Sequence, residues 1–172
     1  MSLKGIWKLT ATSALVVAML APGTMLAQAG GDTVLKPAEI QKLLPATVFY
    51  RGQTAPTEFR NSGGVKLADG FYVLAALVDT SGYTTGVQAK YQAVFITEVP
   101  IKVGGQALAA GAYGVGLVGD NFVVTDLGAH DVLSVKASDD AGMQRPRPLE
   151  IVANPPGGFR LYIQRKYVNL SR

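Results

Sequence analysis

Between Thr47 and Val168 the chain is written in short apolar stretches that alternate or run on for a few residues and are then cut by turn-forming residues. TVFYRGQT, TEFRNSGGVKLAD, FYVLAALVD and KYQAVFITEVPIKV make up the first half, punctuated by Pro56, Gly63-Gly64, Asp69-Gly70 and Gly82. GAYGVGLV, FVVTDL, DVLSVKA, PLEIVA and FRLYIQRKYV follow, with breaks at Gly119-Asp120-Asn121 and Pro155-Pro156-Gly157-Gly158. Successive side chains of a strand point to opposite faces, so a period of two predicts strands with one buried face. FYVLAALV lacks the alternation and predicts a central strand covered on both faces. Asp69-Gly70 predicts a hairpin, because glycine at the second turn position accepts a positive φ without steric cost.

One helix is expected, in LKPAEIQKLLP, where Pro37 suits the first turn, Ile40, Leu43 and Leu44 share a stripe, and Pro45 stops it. Eight to ten short strands with almost no helix predict an all-β fold, an antiparallel β-sandwich, with a small β-barrel as the alternative. Residues 30–45 read as a short helical lead-in and 46–172 as a single domain. No repeat of 20 to 50 residues and no low-complexity linker divides the chain.

The N-terminal pattern is of another kind. MSLKGIWKLTATSALVVAMLAPGTMLAQAGG has positive Lys4 and Lys8, a short apolar stretch from Ala14 to Ala21, and the small-x-small step Ala27-Gln28-Ala29. This predicts a secretory signal peptide over 1–29, cleaved before Gly30. The apolar run is shorter than the roughly 20 residues of a spanning helix, and Pro22-Gly23 interrupts it, so no transmembrane segment is expected after cleavage. The expected location is periplasmic or extracellular.

Composition narrows the chemistry. The chain has no cysteine, which excludes a disulfide scaffold, a thiol nucleophile, a thiolate metal site and a lipid-modified cysteine. Without the two signal lysines, 14 basic residues face 12 acidic ones, which gives no support for a nucleic-acid partner. The charges are unevenly placed: 30–140 holds 8 basic and 11 acidic residues, whereas 141–172 holds 6 basic and 1 acidic. The reading favoured here is that the last strands neutralise an acidic body. Asn169-Leu170-Ser171 matches a glycosylation acceptor, a triplet that arises often by chance.

Gly114-Val115-Gly116-Leu117-Val118-Gly119 spells G-x-G-x-x-G, a pattern that binds pyrophosphate only where it closes a strand and opens a helix. Asp120-Asn121 and another branched strand follow it, so the glycines are expected inside a strand against which a chain or aromatic ring packs closely. The single histidine, His130, lies in NFVVTDLGAHDVLSV beside Asp126 and Asp131. No G-x-S-x-G elbow is present, and adjacent His130 and Asp131 point to opposite faces of a strand, so no Ser-His-Asp device is expected. Asp126, His130 and Asp131 bracketing a turn are the candidate metal ligands, with no other cofactor implied; the plainer reading makes His130 a hairpin shoulder and the aspartates turn caps. Asp79, Glu98, Asp126 and Asp131 are the carboxylates available for glycoside cleavage, but a domain of this size leaves little room for a cleft between two of them. Tyr83, Tyr91, Tyr113 and Tyr162, together with Tyr167, offer apolar rings with polar tips and are the candidate ligand-binding residues.

IKVGGQALAAGAYGVGLVGDNFVVTDLGAHD and RPRPLEIVANPPGGFRLYIQRKYV resemble segments of uncharacterised exported bacterial β-sandwich proteins over roughly 101–168. The resemblance implies export and the sandwich and transfers no catalytic residue. The function expected is a non-catalytic binding or structural module of the bacterial envelope or extracellular space, recognising a partner protein, a glycan or a small apolar ligand. The alternatives are a small metal- or carboxylate-dependent enzyme centred on 126–131, and a surface protein that self-associates through strand edges.

Overall fold

The computed structural model describes residues 31–172; the expected signal peptide, 1–29, lies outside the described residues. Fourteen strands and two short helices make up the described chain: β1 Thr33–Leu35, α1 Pro37–Ile40, β2 Thr47–Tyr50, β3 Gln53–Lys66, β4 Tyr72–Val78, α2 Thr85–Lys90, β5 Ala93–Thr97, β6 Ile101–Val103, β7 Gln106–Leu108, β8 Gly111–Val118, β9 Asn121–Thr125, β10 Asp131–Lys136, β11 Ser138–Asp139, β12 Leu149–Ala153, β13 Phe159–Ile163 and β14 Lys166–Ser171. All pairings are antiparallel. The larger sheet runs β1-β3-β4-β5-β8-β9-β10, with β2 also on β3; the smaller runs β12-β13-β14-β6-β7, with β11 also on β14. The fold is an all-β sandwich, and neither sheet closes into a barrel.

The space between the sheets is filled by the side chains that the alternation assigns to one face. Val73 and Ala75 of β4, Phe95 of β5, Val115 of β8 and Phe122 and Val124 of β9 meet Leu149 and Ile151 of β12, Phe159 and Leu161 of β13, and Val168 and Leu170 of β14. Burial of a side chain of this size contributes about 1.5 to 3 kcal/mol, so this face is the main source of stability.

The outer face of the larger sheet is covered too. Leu74, Ala76 and Val78 of β4 and Val94 of β5 pack under Ile40 of α1, Leu44, Val48 and Tyr50 from the β2 arm, and Val87 of α2. The run from Tyr72 to Val78 is apolar throughout because β4 lies in the middle layer of three, between β3 and β5, while Phe71 before it is exposed. The Asp69-Gly70 hairpin closes between β3 and β4, with Gly70 at φ 92°.

Fourteen strands stand where eight to ten were expected, because short pairings such as β7 and β11 leave no pattern of their own, and three further elements depart from the sequence reading. The lead-in also supplies β1, which pairs with Gly64 to Lys66 at the end of β3. The expected helix ends at Ile40 and continues as turns to Leu44, with the Leu43 side chain left exposed. TGVQAK forms α2, a helix of six residues with Val87 its only buried side chain, too short to leave a helical period.

The lateral edges of the two sheets meet. On one side β3 crosses β12 so closely that a Cβ on Gly63 would collide with the backbone nitrogen of Ile151 and lie 2.9 Å from the carbonyl carbon of Glu150. On the other, the β6–β7 turn lies against β10: the Gln106 amide donates to the Ser134 carbonyl, and Gly104 touches Val135. Edges turned against the opposite sheet are poorly placed to recruit a second chain.

Candidate functional site

The 126–131 turn is held by its first aspartate. Asp126 Oδ1 accepts the His130 amide at 2.9 Å, and Asp126 Oδ2 lies 2.9 Å from His130 Nδ1. These bonds, the backbone one first, hold the Asp126 carboxyl below the usual carboxylate range. The His130 side chain is 83% exposed. Asp131 does not join them: it starts β10 just before a register shift, and its carboxylate takes Lys90 of α2 at 2.7 Å. The three expected metal ligands are thus not brought together, and among the described residues no group of three His, Asp or Glu side chains is placed to hold an ion. The aspartate caps the turn, as the hairpin reading had it.

The expected outcome is that His130→Ala leaves the thermal midpoint within about 1 °C of the parent, because an exposed pair contributes little. Zinc or calcium should raise the midpoint of neither protein. A metal-linked rise that the substitution abolishes would restore the enzyme reading. Below about pH 4 the parent loses what Asp126 contributes. Its carboxyl has a lower pKa folded than unfolded, so that stabilisation is complete above the unfolded value and fades as pH falls through the folded one.

The four candidate tyrosines do not converge either, and three of them are buried rather than presented to a ligand. Tyr91 is fully buried and stacks on Tyr50 with ring centroids 3.8 Å apart; Tyr83 meets both rings edge-on. Tyr83 shares its hydroxyl proton between the carbonyls of Tyr50 and Gln53. Tyr50 Oη lies 2.7 Å from Thr125 Oγ1, while Tyr91 Oη has no partner among the described residues and burial pushes its pKa up strongly. Tyr113 donates to the Ala109 carbonyl at the margin of the inter-sheet core. Tyr162 lies on the smaller sheet, donating to Asp140 Oδ2 at 2.9 Å beside Tyr167, over whose ring Arg160 stacks at 4.5 Å.

This aromatic cluster and the end of α2 explain the first two glycines of the G-x-G-x-x-G stretch, while Gly119 turns the chain at φ 61°. Gly114 and Gly116 point to the outer face of β8, where a Cβ at 114 would lie 2.6 Å from Tyr50 and 2.7 Å from Tyr91. At 116 it would lie 2.7 Å from the carbonyl oxygens of Ala89 and Lys90, at the end of α2. The glycines are a flat seat for rings and a helix end, as expected for a strand against which other groups pack closely.

The basic excess of the C-terminal segment is largely engaged. Lys166 pairs with Asp120 at 2.6 Å, Arg172 with Asp69 at 2.6 Å, and Arg147 with Glu150 at 3.7 Å. Arg165 donates to the Met143 carbonyl. The first two pairs join the basic tail to the acidic body. An open cleft of about 600 Å³ bordered by Arg147, Arg165, Lys166 and Asp139 lies at this end of the sandwich, its charges mixed.

A narrower cleft occupies the opposite end of β13. It has a volume of about 330 Å³ and opens between the sheets among Leu67, Val73, Ile101, Phe159 and Leu170, with Asp32 and Arg172 at its rim. All five apolar residues belong to the inter-sheet core, so the cleft is a place where the core reaches solvent. The sequence marks each of them only as a core position; nothing in a period of two shows that two sheets stop short of filling the space at one end. Comparison with protein-family models, curated proteins and solved structures finds no match for the chain.

Proposed function

We propose that the protein is a non-catalytic binding module, exported to the periplasm or cell exterior, that takes a small apolar ligand into the cleft between its sheets. The observation that carries this reading is the cleft itself: about 330 Å³, walled by Leu67, Val73, Ile101, Phe159 and Leu170, with Asp32, Ser171 and Arg172 as the polar side chains of its lining. Sites for small molecules are concave, mostly apolar and of a few hundred Å³, with a few polar groups to orient the ligand. The enzyme alternative has less support, since His130 and Asp126 sit on an exposed turn and Asp131 is bound to Lys90. Export rests on the N-terminal sequence pattern; no described helix is long and apolar enough to cross a membrane.

Octan-1-ol at about ten times its dissociation constant is expected to stabilise the protein by about 1.4 kcal/mol, a rise of roughly 4 °C in thermal midpoint. Two narrowing substitutions, Val73→Phe inside the cleft and Gly157→Phe at its mouth, should abolish the rise. A Cβ at Gly157 meets nothing within 4 Å, so that variant keeps its fold if the first does not. No rise in the parent protein, or an undiminished rise in a folded Gly157→Phe variant, contradicts the reading.

A further inference from the structure

The rim of the cleft decides which apolar ligand it accepts, an inference that rests on the binding reading above. Arg172 is the one cation among the residues lining the cleft, and its charge is met by Asp69, 2.6 Å away. Asp69 also accepts the Phe71 amide, and its carboxyl is held below the usual range chiefly by Arg172, so it stays ionised at neutral pH. The second acidic residue, Asp32, lines the same mouth and accepts the Ala68 amide through Oδ1 only. Asp69 and Arg172 thus offset each other, and Asp32 is the charged side chain of the lining that forms no ion pair among the described residues. The Ser171 hydroxyl supplies a neutral hydrogen-bonding group beside them, and the Arg172 N–H groups not taken by Asp69 remain charged donors.

We infer that the cleft binds a small amphiphile whose polar head carries no negative charge, an alcohol, amide or amine, and that Asp32 turns away the corresponding carboxylate. The volume holds roughly ten water-sized groups, which suits a chain of about eight carbons. Asp32 stands at the mouth, where the head of such a chain comes to rest once its tail lies among Val73, Ile101 and Leu170.

Octan-1-ol, octylammonium and octanoate are the probes, titrated calorimetrically against the folded protein. Octylammonium and octanoate differ in the sign of their charge at the same tail length, so their ratio reads the rim. Octanoate is expected to bind at least about fivefold more weakly than octylammonium at low salt, with the ratio collapsing at 1 M salt, where screening acts over about 3 Å. Asp32→Asn should raise octanoate affinity and leave octan-1-ol unchanged, whereas Arg172→Gln should weaken octanoate further. Octanoate binding as tightly as octylammonium, with octan-1-ol also bound, overturns the head-group inference and leaves the cleft reading standing. Failure of all three probes to bind overturns both.

Discussion

Gly63→Ala is expected to cost about 4 kcal/mol or more, enough to leave the protein largely unfolded at room temperature. The added methyl would collide with the Ile151 nitrogen and come within 2.9 Å of the Glu150 carbonyl carbon. Both obstacles are backbone, in a strand fixed by its pairing with β13, so no rotamer change can make room. Relief requires β3 and β12 to separate, and that contact is where the larger sheet turns onto the smaller one. Overpacking against side chains typically costs about 1 to 3 kcal/mol, and an immovable neighbour puts this case above that range. Urea denaturation followed by far-UV circular dichroism checks it. Gly86→Ala is the control: the position is helical and its Cβ would meet nothing within 4 Å, so stability should hold or rise by up to about 1 kcal/mol.

Gly114→Ala is expected to cost about 2 to 3 kcal/mol by a different route. The new methyl would stand 2.6 Å from Tyr50, 2.7 Å from Tyr91 and 2.8 Å from Thr125 Oγ1. Side chains can yield where backbone cannot, so the fold survives while the Tyr50–Tyr91 stack and the Tyr50–Thr125 hydrogen bond are displaced. The denaturation midpoint should fall with an unchanged slope, and the near-ultraviolet dichroism of the tyrosines should change. The apolar cleft lies on the other side of the larger sheet, so octan-1-ol binding to the folded fraction should persist. A variant as stable as the parent would contradict the reading of Gly114 and Gly116 as a packing seat.

The layering of the fold was legible where burial leaves a periodic mark. Alternation in FVVT put Phe122 and Val124 on one face, and they do face the inter-sheet core; the unbroken FYVLAALV announced a strand buried on both faces. Gly114 and Gly116 read correctly as close-packing strand positions, and Gly119 as the turn that ends the strand, because the residues after them could not begin a helix. The elements that escaped, β1, β7, β11 and α2, are two to six residues long, too short to carry a period, and β1 and β11 take their shape from partners far along the chain.

The site was hidden for a related reason. Residue type marks Asp126, His130 and Asp131 as chemically able, but a bulge and Lys90 decide where Asp131 points. Tyrosine is at home at surfaces and in core margins alike, and only the seat formed by Gly114 places Tyr91 inside. The cleft is made of ordinary core residues, and its existence depends on the distance between two sheets at one end.

The central claim is that this opening is a ligand site. The most direct measurement is methyl-resolved NMR of the isotope-labelled protein titrated with octan-1-ol. Saturable shifts are expected, concentrated on the methyls of Leu67, Val73, Ile101 and Leu170, with Val87 and Val48 on the far side of the larger sheet unmoved. Shifts scattered over the exposed methyls of Leu43, Leu127 and Val132, or none at all, would contradict it.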